Sequence, residues 1–130
     1  MSREVIADVI ARKRELYHQE YTLQLREFDM EEKFLFAGEA GLPEQRKQMN
    51  ELADAFKFLH QKLKRAHLFG LQHTKALPPG CTKCYIDSGE LRIMAQPASS
   101  PSGPSLFTCT RCGHRLRMTP ATRHCAVGQS

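Results

Sequence analysis

Four cysteines in two closely spaced pairs are the residues of this sequence best suited to chemistry. The pairs are Cys81-x-x-Cys84 and Cys109-x-x-Cys112, and 24 residues separate them. A Cys-x-x-Cys turn places two sulfurs at two corners of a tetrahedron, so two such turns make a closed four-sulfur site. The spacing therefore predicts one structural Zn²⁺ bound by four thiolates. Gly113 directly after the second pair favours a turn with positive φ beside the sulfurs.

Disulfides and redox chemistry are the alternatives for such cysteine pairs. The N-terminus lacks the uninterrupted apolar region of a secretory signal, and no apolar run approaches the roughly 20 residues that cross a bilayer. An intracellular location (cytoplasmic, or nuclear in a eukaryote) without membrane contact is therefore expected, where disulfides are disfavoured. A redox motif needs a βαβ context that the sequence does not show. Zinc is favoured, and Cys125 is expected to be a free thiol.

The first half of the sequence has the pattern of two long helices. Residues 3–37 contain no Gly or Pro, and their apolar positions recur at spacings of three and four. Two glycines and Pro43 then indicate a tight reversal before a second helix at about 43–69, which Gly70 is expected to end. Residues 1–70 are therefore predicted to form a long antiparallel helical hairpin.

The second half has the pattern of a small β module. Residues 71–80 are predicted to be a linker, and residues 81–118 a β-hairpin that carries the zinc ligands at its base. Residues 97–105 are rich in Pro, Ser and Gly and are expected to form a flexible loop, and residues 119–130 a loose tail. The predicted fold class is α plus small β: the helical hairpin followed by a C-terminal four-cysteine zinc module.

The net charge of +5 is confined to one half of the chain. Residues 1–70 contain twelve Lys/Arg and twelve Asp/Glu, whereas residues 71–130 contain seven Lys/Arg and two acids. Four thiolates and one divalent zinc add −4 + 2 = −2, which leaves the second half at about +3. A mildly basic end permits contact with a nucleic acid or with an acidic protein face.

Basic residues cluster around the second cysteine pair. Arg115 and Arg117 are expected to share one strand face opposite Leu116, close to Arg111 and His114. This group is a candidate surface for phosphate groups or for an acidic partner. The alternative is a solvated face whose arginines offset the thiolate charge.

Apolar residues crowd the predicted tip of the helical hairpin. They are Phe34, Leu35, Phe36 and Leu42. Residues at the tip of a lone hairpin are expected to be polar, so these four either fold back onto the helices or form a surface for a protein partner.

The cysteine segment resembles a known class of zinc module. The strings CTKC and FTCTRCGHRL, whose cysteine pairs are 24 residues apart, are similar to the zinc ribbons of transcription elongation and transcript-cleavage factors and of related polymerase subunits. The resemblance covers residues 81–118 and implies a zinc ribbon in the transcription machinery. Cleavage factors carry an adjacent acidic pair at the ribbon tip, where this sequence has Ser99-Ser100-Pro101-Ser102, so the resemblance does not imply cleavage activity.

The order of the two halves is similar to that of the DksA/TraR-type regulators. Those proteins insert a coiled-coil hairpin with acids at its tip into bacterial RNA polymerase. Glu39 and Glu44 are the acids at the predicted tip here. The resemblance implies RNA polymerase as a protein partner.

The sequence predicts a binding protein without enzymatic activity. It shows no nucleophile–base pair, phosphate-binding loop or open metal position. The expected function is a small zinc protein that binds the transcription or nucleic-acid machinery, with the hairpin contacting a protein partner. The alternative is a protein-only adaptor or inhibitor in which the zinc module is a structural staple. A homodimer through the helices also remains open, with an apolar stripe formed by Met49, Phe56, Leu59 and Leu63.

Overall fold

The structure is a computed structural model, and it describes residues 3–96 and 105–118. The described chain is mostly helical and carries one small two-stranded antiparallel sheet. It divides into two compact units, one of residues 14–63 and the other of residues up to 13 together with those from 64 onward. The predicted loop at 97–104 and the predicted tail at 119–130, with Cys125, lie outside the described residues.

Two long helices account for most of the described residues. Helix α1 spans Arg3–Ala37, a 3-10 turn spans Gly38–Gly41, and helix α2 spans Leu42–Gln72. Gly38 has a φ of +63°, which only glycine adopts at little cost. A side chain at Gly41 would meet the Cβ of Ala37 at 2.9 Å, so the turn closes tightly at this glycine as well.

Gly70 does not end the second helix, contrary to the sequence prediction. Helix α2 continues through it to Gln72, and the backbone N–H of His73 still donates to the carbonyl of Phe69 at 2.9 Å. Gly70 faces the neighbouring helix, because a Cβ placed on it would lie 3.6 Å from Val9 Cγ1. A Cβ would fit there at an ordinary contact distance, and a glycine in a helix interior costs only about 1 kcal/mol, so the helix can continue through it.

The unit of residues 14–63 has a narrow apolar core. Its buried apolar side chains among the described residues are Leu16, Phe34, Leu52 and Leu59. A polar contact accompanies them, since the Glu20 carboxylate lies 2.7 Å from His60 Nε2. This contact links the middle of α1 to the middle of α2.

The other unit contains the short elements. Helix α3 spans Thr82–Ser88, strand β1 spans Ser105–Thr108, and strand β2 spans Arg115–Met118. The strands pair antiparallel, with Phe107 opposite Leu116. Ser105 was predicted to lie in the flexible loop, but it begins β1 and is buried opposite Met118.

Residues 91–96 do not form the regular strand expected in one arm of the predicted β-hairpin. Their pairing is limited to two isolated bridges, Gly80 with Ile93 and Ala95 with Thr108. The buried side chain is Met94, which is 2% exposed, whereas Ile93 is 56% exposed. The apolar core of the unit therefore takes the flexible Met94 from this segment rather than the neighbouring Ile93.

No helix in the described part of the chain is long and apolar enough to cross a membrane.

Candidate metal centre and its surroundings

The two cysteine pairs converge on one point. The Sγ atoms of Cys81, Cys84, Cys109 and Cys112 all lie within 4.8 Å of one another. The Cys81–Cys112 and Cys84–Cys109 sulfur separations are 3.5 Å and 3.6 Å. A tetrahedron with metal–sulfur bonds of about 2.3 Å has sulfur–sulfur edges of about 3.8 Å. The cluster therefore has the dimensions of a four-thiolate site and could hold a metal ion.

The first pair is positioned by a helix, whereas the sequence predicts a Cys-x-x-Cys turn at the base of a β-hairpin. Cys81 is the N-cap of α3, with extended backbone angles (φ −78°, ψ 111°), and its sulfur accepts the backbone N–H of Cys84 at 3.5 Å. A thiolate in this position is favoured by the partial positive charge of a helix N-terminus. Helix α3 ends at Gly89, whose φ is +79°.

The second pair lies in a turn between the two strands. The Cys109 backbone N–H donates to the His114 carbonyl at 2.8 Å, and the Gly113 N–H donates to the Cys109 carbonyl at 2.9 Å. Gly113 has a φ of +77°, as its place after the cysteine pair predicts. The turn directs the His114 N–H at the Cys112 sulfur, 3.4 Å away. Backbone donors thus offset part of the negative charge on the sulfurs.

Burial and backbone hydrogen bonds shift the pKa values of the buried thiols in opposite directions. Burial raises the pKa of Cys81, and it raises the pKa of Cys84 to about 11. Burial also acts to raise the pKa of Cys109, but hydrogen bonds from the backbone N–H groups of Cys112 and Arg111 outweigh it and give a pKa of about 6. Cys112 is exposed, whereas the other three are buried. Metal binding must therefore displace protons from the two thiols whose pKa is raised.

The ends of both long helices pack into the same core as the cysteines. Val5 and Val9 of α1 and Phe69 of α2 belong to one buried cluster with Cys81, Cys84 and Cys109. The remaining members come from the strands and the adjoining segment: Met94, Phe107, Leu116 and Met118. The prediction placed the helices and the cysteine module on either side of a linker. The contacts show that the module is built partly on helix ends.

An acid from the first helix lies half-buried beside the second cysteine pair. The Asp8 carboxylate accepts from the Thr82 hydroxyl at 2.5 Å and lies 2.9 Å from His114 Nε2. The hydrogen bond that His114 donates to the Asp8 carboxylate raises the pKa of His114. His114 is one of the predicted nucleic-acid contacts, but the structure turns its ring towards Asp8 and leaves it half-buried.

The other predicted basic residues are exposed. Arg111 lies in the turn, and Arg115 and Arg117 occupy the exposed positions of β2 on either side of the buried Leu116. The sequence interpretation missed a fourth exposed cation, Lys83, whose charge lies close enough to His114 to act on its pKa. Its position between Cys81 and Cys84 could have identified Lys83 as a basic residue near the metal site.

The acids of the cysteine module form ion pairs, whereas these cations do not within the described ranges. Asp87 forms an ion pair with Arg12 at 3.0 Å, and Glu90 forms one with Arg92. They are the only acids between residues 81 and 118 of the sequence. Within the described ranges, none of the four cations forms an ion pair with an acid. We call Lys83, Arg111, Arg115 and Arg117 the basic rim.

The apolar residues around the 3-10 turn divide into one buried and three exposed positions. Phe34 is 6% exposed and lies under the turn, so it does not fit the predicted role as a partner contact. Leu35 and Phe36 are 83% and 88% exposed, and Leu42 is also exposed. These three remain candidates for a partner surface.

Comparison with protein-family models, with curated proteins and with solved structures returned no match.

Proposed function

We propose that this chain is a small non-catalytic protein in which four thiolates hold one structural Zn²⁺ and the resulting module binds nucleic-acid phosphates within the transcription machinery. The observation that carries the proposal is the excess of positive charge at the surface of the cysteine module. Both acids of the module, Asp87 and Glu90, form ion pairs. The four cations of the basic rim are exposed, and none of them forms an ion pair within the described ranges.

The donor set supports zinc as the metal. Four thiolates at tetrahedral separation suit a soft or borderline cation, and among the common divalent ions zinc accepts this geometry without an electronic preference of its own. A site with four protein ligands leaves no position for water, so the metal would stabilise the module without activating a nucleophile. We therefore assign the ion a structural role.

The fold is best described as a helical hairpin followed by a variant of the zinc ribbon. The contact of Glu20 with His60 and the packing of Val9 against Gly70 support antiparallel helices. The turn at Cys109 and the β1–β2 pair support a ribbon for the second half of the module. Helix α3 after Cys81 departs from the predicted β-hairpin with a Cys-x-x-Cys turn in each arm.

Phosphate binding follows from the chemistry of the rim. Arginine donates several hydrogen bonds in a fixed plane that matches phosphate oxygens, and lysine adds a point charge. Contacts of this kind position a nucleic acid without reading its bases. They also make binding depend on salt, because each neutralised phosphate releases counterions.

A titration of the zinc-loaded full chain with labelled single-stranded RNA tests this proposal. Four phosphate contacts give a slope of log K against log salt of about −2.8, from about 0.7 per contact on single strands. Combined replacement of Arg115→Ala and Arg117→Ala is expected to reduce the slope by about 1.4. Arg46→Ala, an exposed arginine of α2, is the matched control and should leave the slope unchanged. Absence of binding at low salt would contradict the proposal.

The second candidate function is a protein-only adaptor or inhibitor in which the zinc module has a purely structural role. The specific observation in its favour is the exposure of Leu35 and Phe36 beside the 3-10 turn. Two large apolar side chains at this exposure can anchor a protein interface. Capture of a protein partner that requires Phe36, without any nucleic-acid binding at low salt, would favour this second function. RNA polymerase is the partner to test first, since the sequence resemblance implies it.

A further inference from the structure

The part of helix α1 in the 14–63 unit has two apolar faces. One face supplies the buried Leu16 and Phe34. The other carries four large side chains spaced by four, four and three residues, which places them in one row along the helix. We call this row the outer stripe: Tyr17, Tyr21, Leu25 and Phe28, with exposures of 54%, 58%, 49% and 63%.

The exposure of the outer stripe is unusual for a helix in water. The solvent face of an amphipathic helix is normally polar, and single exposed apolar residues are common whereas a continuous row of them is not. The stripe also has the spacing with which one helix packs along another. A second helix laid along it would cover all four side chains at once.

Charges of opposite sign flank the outer stripe. Arg14 precedes it by three residues, and Glu31 and Glu32 follow it by three and four residues, which is about one helical turn. All three are exposed, and none has an ion pair with another residue in the described part of the chain. The stripe is thus positive at its N-terminal end and negative at its C-terminal end.

This arrangement is complementary to itself when two copies run antiparallel. A two-fold axis beside the middle of the stripe brings Tyr17 opposite Phe28 of the second copy and Tyr21 opposite Leu25 of the second copy. The same axis brings Arg14 opposite Glu31 and Glu32 of the second copy. Each contact occurs twice in such a symmetric interface.

We propose that the outer stripe is a homodimer interface at which helix α1 of one chain packs antiparallel against helix α1 of a second copy. A parallel arrangement is disfavoured, because it would place Arg14 opposite Arg14 and Glu32 opposite Glu32. The interface differs from the stripe of Met49, Phe56, Leu59 and Leu63, whose Leu59 is already buried within one chain. It does not depend on the zinc or nucleic-acid proposals.

Sedimentation of the metal-loaded full chain over a concentration series measures the dimer. Phe28→Glu is expected to weaken dimerisation at least tenfold, since it places a charge at an apolar contact that occurs twice. Phe58→Glu is the matched control, because Phe58 is 65% exposed on helix α2 of the same unit and lies outside the stripe. Circular dichroism should show unchanged helix content in both variants.

A charge exchange tests the antiparallel arrangement. Arg14→Glu alone should weaken the dimer by bringing acids together, and Arg14→Glu combined with Glu31→Arg and Glu32→Arg should restore it. A photo-cross-linker at Tyr17 should join to the peptide that contains Phe28. A chain that stays monomeric up to about 100 µM, far above the Kd of specific interfaces, would overturn the proposal. Equal weakening by Phe58→Glu, or no rescue by the charge exchange, would also overturn it.

Discussion

Asp8 and His114 lie 106 positions apart in the sequence, yet the Asp8 carboxylate is 2.9 Å from His114 Nε2. The contact ties the turn that carries Cys109 and Cys112 to the first helix. Asp8 also accepts from Thr82, which follows the first cysteine directly. One carboxylate on α1 therefore holds both cysteine turns, and this determines how the module should respond to mutation.

Replacement of Asp8 should loosen this connection. Asp8→Asn is expected to lower the pKa of His114 and to reduce the free energy of unfolding by about 1 kcal/mol. Asp8 raises the pKa of His114, so its stabilising effect is full below the unfolded value of about 6.5 and declines as the pH rises through the folded value. NMR titration of His114 and denaturant unfolding measure the two effects. Asp54→Asn, at an exposed site, is the control; an unchanged His114 pKa in Asp8→Asn would contradict the assignment.

Metal removal should affect the ends of the long helices as well as the cysteine module. Val5, Val9 and Phe69 share their core with the cysteines, so they lose packing when that core opens. Hydrogen exchange after chelation is expected to show lost protection in residues 3–13 and 64–72 and retained protection near the middle of α1 and α2. Loss confined to residues 81–118 would show that the helix ends do not depend on the module.

Metal affinity should rise with pH. The pKa values of Cys81 and Cys84 are both raised by burial, so these two thiols carry protons at pH 7 that the metal must displace. Release of at least two protons makes the Kd fall by at least about a hundredfold for each pH unit. Competition with a chromophoric chelator between about pH 6 and 8 measures this slope, with the displaced protons counted by an indicator dye. A pH-independent Kd would contradict thiol ligation.

Replacement of glycine by alanine should lower stability at Gly113 and raise it at Gly70. Gly113→Ala is expected to cost about 1 kcal/mol, because φ is +77° although nothing lies within 4 Å of the added Cβ. Gly70→Ala is expected to stabilise helix α2 by up to about 1 kcal/mol, since its Cβ meets Val9 at an ordinary contact distance of 3.6 Å. Thermal unfolding of the metal-loaded variants compares them. Destabilisation by both would indicate that Gly70 is packed too closely for a methyl group.

Substitutions of Phe34 and Phe36 near the 3-10 turn should distinguish an effect on stability from an effect on partner binding. Phe36→Ser is expected to change stability by less than about 0.5 kcal/mol and to abolish capture of a protein partner, because the ring is 88% exposed. Phe34→Ser is the matched control and should cost about 3 kcal/mol, because that ring is buried. A sharp loss of stability in Phe36→Ser without any effect on capture would refute the partner surface.

Local patterns predicted the long helices and the cysteine grouping well. The absence of Gly and Pro between residues 3 and 37 corresponds to a helix of Arg3–Ala37, and the two Cys-x-x-Cys pairs meet as predicted. These features depend on residues that are close in sequence. Helical periodicity and turn geometry act over a few positions, so one sequence is enough to recognise them.

Features that depend on tertiary contacts were not predictable. Met94 is buried in place of Ile93 because the bridges of its segment, to Gly80 and Thr108, set which face points inward. Helix α3 is short, and its cap is a cysteine, which is not among the residues that usually signal a helix start. The role of Asp8 was hidden because its partners are 74 and 106 positions away.

Native mass spectrometry of the full chain tests the four-thiolate zinc site most directly. The account predicts one Zn²⁺ per chain, lost on chelation and lost in Cys109→Ser, with all four thiols of the cluster reactive once the metal is removed. Thr110→Ser, at an exposed neighbour of that cysteine, should keep the ion. A chain that carries no metal, or that carries two disulfides among Cys81, Cys84, Cys109 and Cys112, would contradict it.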